Sequence, residues 1–147
     1  MGPLTLPDSG SVYFDGPGFI YSLERIEPYY TLLKPLWLAS QAKQFEIVSN
    51  ELVILETLVK PLQAKDEILT QLFRSLLYSK EVRLIPATTA LWEHAAQLRA
   101  SLGLKAPDAL HAATALQEGS KSFMTNDSDF RKVPDLPVVL LKDFVNS

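Results

Sequence analysis

Short apolar runs alternate with longer stretches of helical spacing along almost the whole chain. Val12-Tyr13-Phe14 predicts a buried strand that stops at Asp15, where Gly16-Pro17-Gly18 predicts a turn. Phe19 to Glu24 begin a helix, and Pro28 interrupts it. A second helical stretch then runs from about Tyr29 to Lys43, with Leu32, Leu33, Leu36 and Trp37 at helical spacing. Glu46-Ile47-Val48 is a second short strand. Ser49 suits the N-cap of a helix through Val59, closed by Lys60 and Pro61. Asp66 to Tyr78 places Ile68, Leu69, Leu72, Phe73, Leu76 and Leu77 on an amphipathic helix. Val82 to Ile85 is a third strand. Thr88 to Leu102 is helical and stops at Gly103. The last helix starts at Pro107 and ends near Gly119, with proline tolerated in its first turn. Ser122-Phe123-Met124 and Val138-Val139-Leu140 are the fourth and fifth strands.

Strands alternating with helices through short loops predict an α/β fold, with a mostly parallel sheet of about five strands covered on both faces. The 147 residues fit one domain, read as a loose segment over 1–10 and a single domain over 11–147. In such sheets functional groups gather beyond the carboxyl ends of the strands. That rule singles out Asp15, directly after the first strand, and Asp127, just past the fourth.

Each acid also has a plainer explanation. Asp15 suits a turn or a helix start. Glu56 falls beside Leu52, Leu55 and Val59 on one helical face, where a carboxylate is costly to bury without a partner or a metal. The plain alternative is a boundary position reaching water. Asp108 lies in the first turn of a helix otherwise rich in alanine and complements the helix dipole there. Asp127 and Asp129, in Thr125-Asn126-Asp127-Ser128-Asp129-Phe130, also suit a capped loop. His111, one turn after Asp108, reads as packed or hydrogen-bonded, and His94 as a solvated helix residue.

Composition narrows the chemistry. Without cysteine, disulfides and thiolate-held zinc or iron–sulfur centres are excluded, and two histidines are too few for a histidine cage. The apolar stretches fall short of the ~18 residues a membrane span needs. The first ten residues lack the basic start and apolar core of a secretory signal, so a cytoplasmic location is expected. The net charge of −3 and the scattered basic residues argue against tight, non-specific nucleic-acid binding. They leave room for an enzyme whose acidic cluster is neutralised by cations. Clustered carboxylates without thiols suit magnesium or manganese, which activate water and stabilise a leaving oxygen in phosphodiester cleavage.

In that combination the chain resembles the PIN-domain family, especially the VapC-type toxin ribonucleases of bacterial type II toxin–antitoxin modules. The resemblance rests on "VYFDGPGFIYSLE", "SNELVILETLVKPL", "LKAPDALHAATAL" and "FMTNDSDF", in that order, and spans Val12 to Leu141. It implies a three-layer sandwich and a Mg2+- or Mn2+-dependent endoribonuclease. Catalytic acids would fall at Asp15, Glu56, Asp108 and Asp127, with Asp15, Asp108, Asp127 and Asp129 toward the metal and Thr125 and Asn126 in support. It further implies an RNA substrate, a homodimer and a cognate antitoxin. The chain departs from the family at Gly16 and Pro17, where a hydroxyl or amide residue is usual. That departure supplies the alternative, a catalytically impaired PIN-like interaction module. Other enzymes fit less well. A haloacid-dehalogenase-type phosphatase would need an aspartate where Pro17 stands, a dinucleotide turn would need glycine in place of Tyr21, and a phosphate-binding P-loop is absent.

Overall fold

Neighbouring residues of each strand bury their side chains in different cores. In β1 (Ser11–Phe14), Val12 and Phe14 pack into one core and Tyr13 into the other. The same division separates Ile47 from Val48 in β2 (Glu46–Asn50), and Phe123 from Met124 in β4 (Ser122–Thr125). A period of two with both faces apolar requires cover on both sides of the sheet. Helices α1 (Gly16–Leu23), α2 (Tyr29–Gln41), α3 (Leu52–Gln63) and α4 (Glu67–Leu77) bury Phe19, Leu33, Leu36, Val53 and Leu77 in the first core. Helices α5 (Thr89–Leu102) and α6 (Ala106–Glu118) cover the other with Leu91, Ala95 and an alanine face at Ala109, Ala112, Ala113 and Ala115. The result is the expected three-layer α/β arrangement.

The computed structural model describes residues 3–145, so 1, 2, 146 and 147, the outer ends of the two expected segments, lie outside the described residues. With β3 (Val82–Ile85) and β5 (Val138–Leu140), the sheet runs β3-β2-β1-β4-β5, and every pairing is parallel. Val12 aligns with Ile47 on one side and Ser122 on the other. Strand order therefore reverses beside β1, and the crevice at the carboxyl ends of β1 and β4 is the natural ligand position. Residues 3–10 form no helix or strand, yet Leu4 and Leu6 pack against the first core.

Four details correct the sequence reading. Gly16-Pro17-Gly18 is the first turn of α1, where proline's missing N–H costs nothing. Gly18 is needed there, because a Cβ would approach the Phe14 ring to 2.9 Å. Ser49 is a buried strand residue, since pairing with β3 carries β2 on to Asn50. Glu51 is the N-cap and makes no side-chain cap, while Asn50 Oδ1, one residue earlier, accepts from Leu52 N at 2.9 Å. Helix α3 also continues through Pro61 to Gln63, and its buried face is Val53, Thr57, Leu58 and Pro61. Leu55, expected on that face, is 61% exposed. Last, the apolar stretches around Leu32, Leu36 and Trp37 and around Leu69, Phe73 and Leu76 suggest, from sequence, surface for a second copy or an antitoxin, whereas Leu36 and Phe73 are fully buried. The apolar residues that α3 and α4 leave exposed include Leu55, Leu62, Ile68 and Leu72.

Candidate metal centre at the carboxyl end of the sheet

Asp15 leaves β1 as the N-cap of α1 but makes no side-chain cap. Its carboxylate turns instead to β4, where the Thr125 hydroxyl donates to Oδ2 at 2.6 Å. Thr125 Oγ1 also accepts from Asp127 N at 3.1 Å, so one buried hydroxyl fixes the ends of both strands relative to each other. Asp15 Oδ1 is buried without a hydrogen-bond partner. An orphaned carboxylate oxygen is costly inside a protein and calls for a ligand.

Asp15 lines a pocket of about 310 Å³. Asp15, Glu56, Asp108 and Asp127 all line it, with His111, Thr125, Asn126 and Pro17 completing the wall. Asp108 comes from the first turn of α6. Asp127 caps the following 3-10 turn, accepting from Asp129 N at 2.9 Å. No lysine or arginine is among the lining residues.

The electrostatics follow from that composition. Burial pushes the Asp15 carboxyl up to about 6 from an ordinary 3.8; His111 and the Thr125 hydroxyl hold it down, while Glu56 and Asp108 push it further up. Asp108 is raised as well, first by burial and then by the charge of Asp127. Four carboxylates and one imidazole form a concentration of negative charge. Among the described residues, no three Asp, Glu or His side chains close into a ready-made ligand cage. The pocket is an open acidic cup.

A family model described as the PIN domain matches residues 13–136. The chain belongs to the PIN-domain family. No curated protein matches it at the level of sequence. In fold this PIN domain is similar to a chain in a crystal structure of VapBC2 from Rickettsia felis bound to a promoter DNA fragment. That match has a TM-score of 0.70 and 19% identity, covering 88% of this chain and 98% of that one. It is similar also to a chain of a toxin–antitoxin complex from Klebsiella pneumoniae, with a TM-score of 0.64, 23% identity, and coverage of 88% and 97%. A protein from Pyrobaculum aerophilum gives a TM-score of 0.57 and 15% identity, with coverage of 92% and 97%. At these identities the likeness is one of fold.

The PIN fold thus brings Asp15, Glu56, Asp108 and Asp127 to one pocket. Asp129 stands apart from it; its side chain is half-exposed and lies 3.6 Å from Lys132 Nζ. Asn126 borders the pocket but spends its amide on structure, donating to Tyr21 Oη at 3.2 Å and accepting from Lys142 N at 2.9 Å. Glu56 sits at the edge of the buried face of α3, with its carboxylate 2.7 Å from His111 Nε2. Behind His111 stands Tyr13, which sequence reasoning had placed only in the core. Its one visible signal was a phenol within an otherwise apolar strand that is buried on both faces.

Proposed function

We propose that this PIN domain is a divalent-metal-dependent endoribonuclease, the toxin of a bacterial toxin–antitoxin module. The observation that carries the reading is a pocket lined by four carboxylates, one of which, Asp15, has a buried oxygen without a hydrogen-bond partner. The donor set fits a hard cation, being carboxylate oxygen throughout with one imidazole and no thiol, which favours Mg2+ or Mn2+. Asp15, Asp108 and Asp127 would hold the ion, with Asp129 reaching it only through water. When bound, such an ion activates water for attack on a phosphodiester and stabilises the leaving oxygen.

The chain's own residues prepare that site. Thr125 fixes Asp15 by one oxygen and leaves the other for a ligand. Asp127 is oriented by the cap it forms and by Thr125 beneath its backbone. Glu56, tied through one oxygen to His111, is placed to orient or deprotonate water at the pocket's rim. The toxin assignment draws on the solved toxin–antitoxin structures that share the fold. A cognate antitoxin, a homodimer and a cytoplasmic location belong to the same reading. No helix among the described residues is long and apolar enough to cross a membrane.

The alternative, an interaction module without catalysis, draws on the open rather than closed arrangement of the acids. Incubating the protein with a mixed RNA panel, with and without Mn2+, separates the two readings. The nuclease cuts only with the ion, and Asp108→Asn abolishes cutting while the fold persists. Wild-type-level cleavage by Asp108→Asn overturns the assignment of the site, and an absence of both cutting and Mn2+ binding favours the interaction module.

A further inference from the structure

Behind Glu56 runs a chain of buried hydrogen bonds that metal binding alone leaves unexplained. Asn50 N donates to Tyr13 Oη at 3.0 Å, Tyr13 Oη lies 2.7 Å from His111 Nδ1, and His111 Nε2 lies 2.7 Å from Glu56 Oε1. Tyr13 is fully buried and His111 nearly so. The outer end of the chain sets its direction there. A carboxylate oxygen accepts, so His111 Nε2 donates to Glu56 Oε1, while Tyr13 Oη and the Asn50 amide hold the other side of the ring in place.

Every link in the chain is anchored. Asn50 ends β2 and also donates from its side chain to Thr114 Oγ1 at 3.0 Å. The Tyr13 ring stacks on Phe123, with centroids 5.1 Å apart and planes 6° from parallel. At the outer end, Glu56 lies against Gly16. A Cβ on that residue would sit 3.0 Å from both Glu56 Cβ and Glu56 Oε1. Glutamate is a flexible side chain that loses rotamer freedom when ordered, so a fixed carboxylate needs such holding.

We propose that Tyr13 and His111 are positioning residues that hold Glu56 over Gly16. The glycine beside the first acid is then the counterpart of this arrangement, giving the room that the carboxylate occupies. The inference rests on the nuclease reading of the pocket and names what sets the geometry of one of its acids. A side chain at position 16 starts 3.0 Å from the His111-bound Glu56, so Gly16→Ser pushes the carboxylate aside by a few tenths of an ångström and strains its bond to His111.

Two measurements test this. In 15N-histidine NMR, wild-type His111 shows a proton held on Nε2 and a hydrogen-bonded Nδ1. Tyr13→Phe keeps the stacked ring and removes only the hydroxyl, so it strips Nδ1 of its partner and shifts the Nδ1 resonance. An unchanged His111 spectrum in Tyr13→Phe overturns the hydrogen-bonded chain. In RNA cleavage with Mn2+, His111→Asn, whose amide is too short to reach Glu56, lowers kcat by ~10–100-fold with KM little changed. His111→Gln, with its nitrogen nearer the Nε2 position, recovers most of that loss. Gly16→Ser falls in the same direction as His111→Asn. In a Glu56→Gln background, His111→Asn adds nothing further, because its effect passes through Glu56. Additive losses, or full activity in His111→Asn, overturn the positioning role. A wild-type protein that cuts no RNA sinks the nuclease reading alone, and the NMR result then decides the hydrogen-bonded chain by itself.

Discussion

At the amino end of the sheet, Glu46 and Glu118 share the Arg83 guanidinium at 3.2 and 2.9 Å, whereas at the carboxyl end Asp15, Glu56, Asp108 and Asp127 share a single imidazole. The first group is partly exposed and neutralised within the chain. The second is more deeply set, and one of its oxygens lacks any partner. Surface pairs like those of Arg83 contribute about 0–1 kcal/mol. A buried, repelled carboxylate acts in the opposite direction and lowers stability. The difference separates a cluster whose charge is compensated within the chain from one whose charge is not.

Removing the orphaned carboxylate breaks the contrast most severely. Asp15→Asn is expected to lower metal-dependent cleavage by on the order of a thousandfold or more, because the ion loses its most buried ligand. The same change makes the metal-free protein more stable in urea, since an amide can keep the Thr125 bond without a buried charge. Cleavage near the wild-type rate, or a clear loss of stability, would contradict the contrast.

The pH dependence of stability comes next in size. The Asp15 carboxyl moves from an ordinary 3.8 to about 6 on folding, so between those values the folded state holds a proton that the unfolded state has released. Stability from this group is therefore full below about pH 4 and is lost as pH rises through about 6, a total of about 3 kcal/mol. Urea titrations of metal-free wild type and Asp15→Asn across that range should diverge by this amount. Curves that stay parallel would show that the carboxylate is not under such pressure.

A smaller effect follows from supplying the cation. Mn2+ at about a hundred times its Kd should raise wild-type stability by about 2.7 kcal/mol, seen as a higher Tm, and should do little for Asp15→Asn. Equal shifts in both proteins would place the ion elsewhere. The smallest change belongs to the other end of the sheet. Arg83→Met should cost about 1 kcal/mol or less and leave the Mn2+-induced rise in Tm intact. Loss of that rise would mean that the two ends are not independent.

Much of this was legible in the sequence. Buried parallel strands appear as short apolar runs and helices as repeats of 3.6, so all five strands and the alternation of elements were recoverable. What local rules missed depended on tertiary pairing. Ser49 looks like a helix cap until β3 extends β2 past it, and Gly16-Pro17-Gly18 looks like a turn until Pro17 is recognised as a first-turn residue. Glu56 was singled out from a stripe containing Leu55 and Val59, and both of these are exposed; the face was misjudged although the residue lies in the pocket. Asp127 shows that a capping role and a place in the pocket coexist in one side chain. The tie between Tyr13 and His111 spans 98 positions, and nothing in either segment announces the other.

The central strand precedes both of its neighbours along the chain and gains the second only when β4 follows. Asp15 and Thr125 are separated by 110 positions, so the wall of the pocket that fixes the first acid leaves the ribosome long after that acid does. At synthesis rates of ~5–20 residues per second, the interval is roughly 5–20 s. During it, β1, β2 and β3 can pair while the acidic cup has no floor. The order of the strands therefore acts as a delay: the site forms only after β4 has joined the strands made before it.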